Sequence, residues 1–365
     1  MVKTAKLDRT AARALRRQLL DWYGRFRRDL PWRRTPDPYA IWVSEIMLQQ
    51  TRVAVVIEHY RAFLARFPSL LSLALAPEDE VLAQWSGLGY YRRARLLHKA
   101  AQFVTNQLKG TLPSTAEGLR ALPGVGAYTA AAIASIAHGE VIAVVDGNVE
   151  RVLCRLSGWE MTSRSGSGLK RQIELLAAQL VDPLRSGDYN QAIMELGATV
   201  CLPRNPQCLV CPLADACKTR GEHKTAPRPR MLSREVAHAL SVRMGRQPGL
   251  HAREVLLEKR PSTLTVMPDM WELPALREAK VPQSELRMTV RHAIMQVNYY
   301  VRIRTVFEDD VPALAVEGGE RRWVPLMQAG SLALTGLTRK VLTRAHLLAT
   351  APIDTIAPRR AETEK

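Results

Sequence analysis

Long apolar segments are absent from this sequence. No stretch approaches the length of a membrane-spanning helix, and the N-terminal residues, MVKTAKLDRTAARALRRQLLDWY, contain no apolar core of the kind found in secretory signals. These absences argue against a membrane or secreted protein. The sequence therefore predicts a soluble protein of the cytoplasm.

Acidic residues are scarce relative to basic ones. The 365 residues include 35 Asp and Glu against 52 Lys and Arg, which gives a formal charge of +17, while the apolar fraction of 47% is ordinary for a globular protein. A chain of this length has room for two or three domains, each with its own core. The excess of positive charge favours a polyanion such as DNA as the partner.

Cysteine is also scarce, and the five cysteines are unevenly placed. Cys154 lies alone in the helical pattern VERVLCRL, which predicts a buried apolar residue. The other four form a C-x6-C-x2-C-x5-C array within 17 residues, and the odd total argues against a disulfide framework. Four thiolates at this spacing suit either a [4Fe-4S] cluster or a structural zinc, and the spacing leaves that choice open. The candidate ligands are Cys201, Cys208, Cys211 and Cys217.

The apolar pattern divides the chain into a helical region and a mixed one. Residues 53–67 follow the i, i+3, i+4 spacing of an amphipathic helix, and similar patterns recur near 10–26, 76–84, 93–108, 127–138, 148–157 and 169–181. We therefore predict a multidomain protein with an all-α region at 1–217 and a charged linker at 218–234. Beyond it, segments such as EVAHALSVRM, REVLLEKR and NYYVRIRTVF resemble strands, and a helix near 337–348 follows. They predict an α+β domain at 235–350, followed by a disordered tail at 351–365, with no internal repeat.

The stretch LPGVGAYTA, residues 122–130, combines two glycines with a helix start. Gly124 and Gly126 allow the backbone to approach a phosphate, which the amides at the N-terminus of the following helix can bind. Such a contact positions DNA without reading its sequence. The alternative is an ordinary glycine-rich turn between two helices.

Together with VVDGNVERVL and the cysteine array, this stretch resembles the helix-hairpin-helix DNA glycosylases of the endonuclease III superfamily. The resemblance covers about residues 10–220. It implies that the hairpin holds the DNA backbone, that the cysteines hold a [4Fe-4S] cluster, and that the hairpin carbonyls can carry a monovalent cation. WVSEIMLQQT at 42–51 and GLGYYRRAR at 87–95 are similar to the adenine DNA glycosylase branch, which removes adenine opposite 8-oxoguanine.

Two carboxylates are the candidate catalysts. Asp146 follows the apolar run VIAVV and begins a helix, where backbone amides and the helix dipole favour its ionised form, although helix capping alone also explains it. Glu45 lies in the apolar stretch WVSEIML, where loss of solvent raises a carboxyl pKa, unless it is a solvated helix residue. The resemblance implies that Asp146 stabilises the sugar cation, while Glu45 protonates the adenine and later activates water.

Tyr128 distinguishes this chain from glycosylases that also cleave the DNA strand. In the lyase branch of the family a lysine at this position attacks the sugar, and a tyrosine cannot form the Schiff base that follows. The resemblance implies a monofunctional enzyme in which Tyr128 and Asn148 hydrogen-bond to Asp146.

Further site residues follow from the resemblance alone. An enzyme that removes a base from duplex DNA must flip that base out and fill the gap. The residues implied to contact DNA are Gln50, Thr51, Leu88, Tyr90, Leu122, Gly124, Val125 and Gly126. Those implied to line the adenine pocket are Trp32, Arg33 and Gln191.

The second domain resembles the Nudix-like domain of adenine glycosylases in LLEKRPS, MWELP and RWVPL, but it has no REXXEE-type metal box. Its lesion-recognition loop corresponds to residues 292–296, where Met295 replaces a serine. The hydrogen bonds to the lesion are then expected from Gln296, from Asn298 or from backbone amides, or are fewer, and Gln296 is the candidate recognition residue. We therefore expect a monomeric, nucleoid-associated base-excision-repair enzyme that acts on duplex DNA with adenine opposite 8-oxoguanine or guanine. The alternatives are a glycosylase with another base specificity and a noncatalytic DNA-scanning protein.

Overall fold

The computed structural model describes residues 8–160, 167–223, 230–245, 253–314 and 320–348. Contacts divide the chain into two compact units, one formed by residues 1–81 and 92–229 and the other by residues 82–91 and 230–365. The sequence alone places 82–91 in the region 1–217, whereas the contacts group this segment with the second unit. The predicted tail at 351–365 lies outside the described residues.

Among the described residues up to 223, all regular elements are helices, as the sequence predicts. Its helices are α1 (Arg9–Phe26), α2 (Pro38–Leu48), α3 (Val53–Arg66), α4 (Leu70–Leu75), α5 (Glu78–Gln84), α6 (Arg92–Gln107), α7 (Ala116–Arg120), α8 (Ala127–His138), α9 (Gly147–Ser157), α10 (Ser167–Leu180) and α11 (Ser186–Thr199). In the part of the chain that the structure describes, no helix has both the length and the hydropathy that crossing a bilayer requires.

Helix ends follow the local sequence closely. The side chain of Asp37 accepts hydrogen bonds from the amides of Tyr39 and Ala40 and so caps α2. Helices α8 and α9 both end at glycines with left-handed backbones, Gly139 (φ 71°) and Gly158 (φ 70°). A glycine in the local sequence therefore ends each of these two helices.

One hydrophobic core of the helical unit lies between α1, α9, α10 and α11. Its buried side chains include Leu19, Tyr23, Leu153, Cys154, Ala192 and Leu196. The predicted burial of Cys154 is confirmed, because its exposed fraction is 0%. This core fixes the start of α9 and the side of α11, which both line the site described below.

The second unit is α+β, as predicted. Its elements beyond residue 230 are β1 (Leu232–Leu240), β2 (Val242–Met244), β3 (Arg253–Lys259), β4 (Trp271–Glu272), β5 (Ala275–Leu276), β6 (Leu286–Ile294), β7 (Val297–Thr305), β8 (Arg321–Pro325), α12 (Leu326–Ala329) and α13 (Gly336–Arg344). One sheet has the order β5-β1-β7-β6, with β1 and β7 parallel. The other has the order β2-β3-β4, with β8 also paired to β3. Side chains from both sheets and from α13 share one core.

Two sequence predictions about this unit are wrong in detail. Strand β1 begins at Leu232, inside the predicted linker 218–234, because its first residues are exposed and are held by backbone pairing with β7 rather than by burial. Residues 292–296 do not form a loop. His292 to Ile294 end β6, and Met295 and Gln296 form a two-residue turn into β7, with Ile294 paired to Val297.

Candidate active site and DNA interface

Glu45 is a carboxyl group enclosed by apolar side chains. It lies on α2, where every residue from Tyr39 to Met47 is buried, and only 5% of Glu45 is exposed. Burial raises the pKa of Glu45 from 4.5 to about 7, the nearby Asp146 adds to this increase, and a hydrogen bond from Tyr128 opposes it. Glu45 is therefore able to hold and release a proton near neutral pH, as the sequence predicts.

Tyr128, in the first turn of α8, is the direct partner of Glu45. Its hydroxyl donates to Glu45 Oε2 at 3.0 Å, and Met194 Sδ lies 3.3 Å from the Tyr128 hydroxyl oxygen. The prediction that this hydroxyl donates to Asp146 is therefore wrong. Both carboxylate oxygens of Asp146 already accept hydrogen bonds from its own helix. Burial raises the pKa of Tyr128 well above its usual value, so the phenol stays protonated.

Asp146 is held at the N-terminus of α9. Its Oδ1 accepts from the amide of Val149 at 2.7 Å, and its Oδ2 accepts from Asn148 Nδ2 at 3.0 Å. The predicted role of Asn148 as a partner of Asp146 is confirmed. These two hydrogen bonds fix the orientation of the Asp146 carboxyl group.

A cavity of about 800 Å³ brings most of the predicted residues together. Glu45, Tyr128, Asp146 and Asn148 all line it. So do the predicted adenine-pocket and DNA residues Trp32, Arg33, Gln191, Gln50, Thr51, Gly124 and Gly126. The cavity is large enough for a nucleobase with its sugar.

Arg28 and Glu195 also line this cavity, and the sequence analysis missed both. Glu195 is 1% exposed and accepts from Arg28 Nη2 at 2.7 Å and from Arg33 Nη2 at 2.8 Å. Despite burial, hydrogen bonds from these two arginines lower the pKa of Glu195 to about 2. Arg33 thus forms an ion pair with the buried Glu195, which also lines the cavity. Because Arg28 and Glu195 are 167 residues apart, no local motif could reveal the cluster.

Gln50 and Thr51 follow α2 at the edge of the cavity. Gln50 is exposed and has a left-handed backbone (φ 57°). Arg93 Nη1 on α6 donates to the carbonyls of Ile46, Met47 and Gln49, which closes the C-terminal end of α2. The exposed turn that carries Gln50 therefore has a rigid base.

The predicted hairpin has exposed glycines and buried apolar side chains. Leu122 and Val125 are buried, whereas Gly124 and Gly126 are exposed. Gly124 has φ 76°, and a Cβ at this position would lie 2.6 Å from Leu96 Cβ, so only glycine fits there. The exposed backbone at the start of α8 is thus open to a phosphate.

Leu88 and Tyr90 belong to the segment grouped with the second unit. Tyr90 is 52% exposed, whereas Leu88 is 5% exposed. The DNA contacts of both residues stay predictions.

The four clustered cysteines follow α11 and surround the side of α9. Arg155, buried on α9, donates to the carbonyl of Leu202 at 2.6 Å and to Cys201 Sγ at 3.4 Å, while Cys217 Sγ donates to the carbonyl of Arg155 at 3.4 Å. Burial raises the pKa of the Cys211 thiol to about 11, and the other three cysteines add to this increase. In the described part of the chain, no set of three or more His, Cys, Asp or Glu side chains is arranged to hold a metal ion.

Comparison with known proteins agrees with this geometry. Residues 43–178 match the HhH-GPD superfamily base excision DNA repair protein family. A solved structure of a thermostable thymine-DNA glycosylase is 30% identical, with a TM-score of 0.52, over 57% of this chain and 96% of its own. The chain belongs to the HhH-GPD superfamily.

Curated relatives indicate which glycosylases this chain resembles. The Homo sapiens protein named adenine DNA glycosylase is 51% identical over 216 residues, which cover 57% of this chain and 39% of the human protein. The Arabidopsis thaliana protein of the same name is 43% identical over 230 residues, 56% of this chain and 36% of its own. These matches confirm the resemblance to adenine DNA glycosylases. The chain nevertheless matches well under half of the length of either relative.

The predicted lesion-recognition residue lies outside the family match at 43–178. Gln296 is exposed in the β6–β7 turn, and its carbonyl accepts from the amide of Leu232 at 2.9 Å. Met295 beside it is 75% exposed with φ 52°. The Nudix-like character of this unit and the role of Gln296 stay predictions.

Proposed function

We propose that the protein is a monofunctional adenine DNA glycosylase of base excision repair, acting on adenine opposite 8-oxoguanine or guanine. The observation that carries the proposal is the buried Glu45, whose pKa is raised to about 7, in one cavity with the capped carboxylate of Asp146. The 51% identity to a protein named adenine DNA glycosylase supports the choice of base. Duplex DNA is the proposed substrate, and the protein is proposed to act as a monomer at the nucleoid.

The reaction begins with proton transfer from Glu45. The protonated carboxyl gives its proton to a ring nitrogen of the flipped adenine, and the bond between the base and the sugar C1′ breaks with its electron pair leaving on the base. The apolar surroundings of α2 destabilise the carboxylate and so keep Glu45 protonated near neutral pH, which makes the proton available when adenine approaches.

Asp146 acts on the sugar. Loss of the base leaves positive charge on C1′ and the ring oxygen, and the fixed carboxylate of Asp146 stabilises this charge. A water then adds to C1′ and transfers a proton to the Glu45 carboxylate. This step regenerates the acid and leaves an abasic site.

The site does not support strand cleavage through a Schiff base. Tyr128 takes the position at which a lysine would act, and lysine is absent from the described residues that line the cavity. Borohydride treatment should therefore trap little or no covalent complex between the protein and DNA. Efficient trapping would contradict the monofunctional assignment.

We further propose that Cys201, Cys208, Cys211 and Cys217 hold a [4Fe-4S] cluster. Buried Arg155 supports a negatively charged group here, because within the described residues its Nε has no hydrogen-bond partner and its Nη1 lies 3.4 Å from Cys201 Sγ. When bound, the cluster would cross-link four positions of the loop after α11, next to Arg155 on α9.

The cofactor proposal is tested by colour and metal content. The purified protein should be brown, and Cys208→Ser should remove its broad visible absorbance together with much of its DNA affinity. A colourless protein with one zinc per chain would show that the array is a zinc site.

The catalytic proposal is tested with defined duplexes. Protein with its metal site filled is incubated with adenine opposite 8-oxoguanine, adenine opposite guanine, and thymine opposite guanine, and alkali then cleaves any abasic site. The third duplex is included because a thymine-DNA glycosylase is among the similar structures. We expect excision of adenine only, and loss of that excision in Glu45→Gln and Asp146→Asn without loss of DNA binding. Cleavage of the thymine duplex alone would show that the enzyme removes thymine and not adenine. Near-normal excision by either variant would refute the roles assigned to Glu45 and Asp146.

A further inference from the structure

Residues 87–90 form a turn with three left-handed positions, of which only Tyr90 is not a glycine. Gly87 (φ 108°), Gly89 (φ 71°) and Tyr90 (φ 49°) all have positive φ. A left-handed backbone is strained for an aromatic residue, so neighbouring contacts must maintain it. Tyr90 is also 52% exposed, so burial of its own ring is not the main constraint.

The residues on both sides of this turn are fixed to a single carbonyl group. Ser86 Oγ donates to the carbonyl of Leu334 at 3.2 Å, and Tyr91 Oη donates to the same oxygen at 3.0 Å. Ser86 and Tyr91 are buried, and Leu334 is 0% exposed. Within the turn, Trp85 Nε1 donates to the carbonyl of Gly89 at 3.2 Å. Both ends of the strained turn are thus held by buried hydrogen bonds.

Arg339 on α13 completes this arrangement. Its Nε donates to Ser86 Oγ at 2.8 Å, and its Nη2 donates to the carbonyl of Gly330 at 3.2 Å. Thr335 caps α13, and its amide donates to the carbonyl of Trp271, which keeps the helix start and Leu334 in place. No carboxylate pairs with Arg339 in the described part of the chain. Its donors instead hold a serine hydroxyl and a backbone carbonyl, which orients the guanidinium without neutralising it.

We propose that Arg339, through Ser86 and Tyr91, forms a latch that positions Tyr90 to read the base opposite the adenine. The latch comprises the side chains of Ser86, Tyr91 and Arg339 and the carbonyl of Leu334. Arg339 is a positioning residue, because it acts only through the conformation of residues 87–90. The inference rests on the proposed function, since it assigns part of the opposite-base discrimination to an arginine in the last described helix.

The latch is tested first without any reaction. Hydrogen–deuterium exchange of the peptide covering residues 86–91 is measured for the native full-length protein, Arg339→Ala and Arg339→Lys. Arg344→Ala is the control, since Arg344 is exposed on the same helix. We expect exchange to become roughly 3–10-fold faster in Arg339→Ala, as expected for loss of one or two hydrogen bonds, and unchanged in the control. Arg339→Lys should resemble Arg339→Ala, because lysine lacks the two-pronged donor.

The consequence for discrimination is tested by single-turnover excision. The ratio of rates for adenine opposite 8-oxoguanine and opposite guanine should fall roughly 3–10-fold in Arg339→Ala, with the rate opposite guanine nearly unchanged. In a Tyr90→Ala background, Arg339→Ala should change the ratio no further, because the two residues act in series. If Arg339→Ala fails to fold, Tyr91→Phe is used in its place. This variant removes only the hydroxyl that donates to the Leu334 carbonyl.

The outcomes separate the latch from the proposed function. Native-like exchange in Arg339→Ala would overturn the latch, and faster exchange with an unchanged ratio would overturn its role in positioning Tyr90. A further loss of ratio in the Tyr90→Ala background would show that Arg339 acts by another route. If the native protein excises adenine from neither duplex, the proposed function fails while the exchange measurement still decides whether the latch exists.

Discussion

Burial of Glu45 raises its pKa, and the hydrogen bond from Tyr128 lowers it. Burial raises the pKa of Glu45 to about 7, so the carboxyl is protonated below neutral pH and ionised above it. Because the proposed reaction requires the protonated form, the single-turnover rate of adenine excision should fall about tenfold per pH unit above pH 7. Measurements from pH 5.5 to 9 would check this prediction. A rate that stays constant up to pH 9 would exclude Glu45 as the acid.

The same burial predicts a pH-dependent cost in stability. The folded state raises the pKa of Glu45 from 4.5 to about 7 and so binds the proton more tightly than the unfolded state does. The contribution of this proton to the free energy of unfolding is therefore complete below pH 4.5 and is lost as the pH rises through 7. Relative to Glu45→Gln, the native protein should lose on the order of 3 kcal/mol of unfolding free energy over this interval. Urea titrations at pH 5 and pH 8 measure the difference. Glu58→Gln, at an exposed glutamate on α3, is the control and should show none. An equal difference at both pH values would contradict the prediction.

Tyr128→Phe should move the pH profile as well as lower the rate. The hydroxyl donates to Glu45 and favours its ionised form, so removing it should raise the pKa of Glu45. We expect slower but measurable excision at the optimum, and a decline at alkaline pH displaced upward by about one unit. Single-turnover excision rates measured as a function of pH for the native protein and Tyr128→Phe test this prediction. A displacement toward lower pH would show that the hydroxyl stabilises the protonated acid instead.

At the scale of elements, α9 connects the active site to the cysteine loop. Arg151 Nη2 donates to Asn148 Oδ1 at 2.8 Å and to the carbonyl of Gly197 at 2.7 Å, and its Nε donates to the carbonyl of Cys201 at 2.8 Å. Asn148 in turn donates to Asp146. One arginine therefore orients the amide that orients the catalytic carboxylate.

Arg151→Gln should accordingly lower the excision rate by roughly 10–100-fold, the effect of losing hydrogen bonds that orient a charged group. Single-turnover assays with saturating protein separate this effect from weaker DNA binding. Arg171→Gln, at an exposed arginine on α10, is the control and should leave the rate unchanged. Native-like excision by Arg151→Gln would mean that Asn148 keeps its orientation without this contact.

How far the sequence predicts each element depends on where its apolar residues lie. Helices α1, α3, α6 and α9 bury one face and show the helical period, so their positions could be predicted. Helix α2 is buried on nearly every side and has no such period. Glu45, Asp146 and Asn148 lie within recognisable local motifs. By contrast, Glu195 and the Arg339 contacts depend on residues far apart in the chain, which a local pattern cannot indicate.

For the whole molecule, the charge of +17 is the dominant electrostatic property. Lys and Arg that neutralise phosphates release counterions, so DNA affinity should fall steeply with salt. For about six phosphate contacts we expect roughly a 10³-fold loss of affinity between 50 and 200 mM salt. Fluorescence anisotropy with an undamaged duplex measures the slope. A slope near zero would mean that the excess charge does not face the DNA.

The discontinuous second unit has a consequence for biosynthesis. Tyr91 must meet a carbonyl 243 residues further along the chain, at Leu334. At a synthesis rate of about 5–20 residues per second, the segment 82–91 emerges on the order of 10–50 s before its partner exists. During that interval Leu82, Trp85, Leu88 and Tyr91, all buried in the finished protein, belong to a unit that is still incomplete. We therefore expect this segment to be a transient chaperone-binding site on the ribosome-bound chain, and to be the last part of the N-terminal third to reach its native structure.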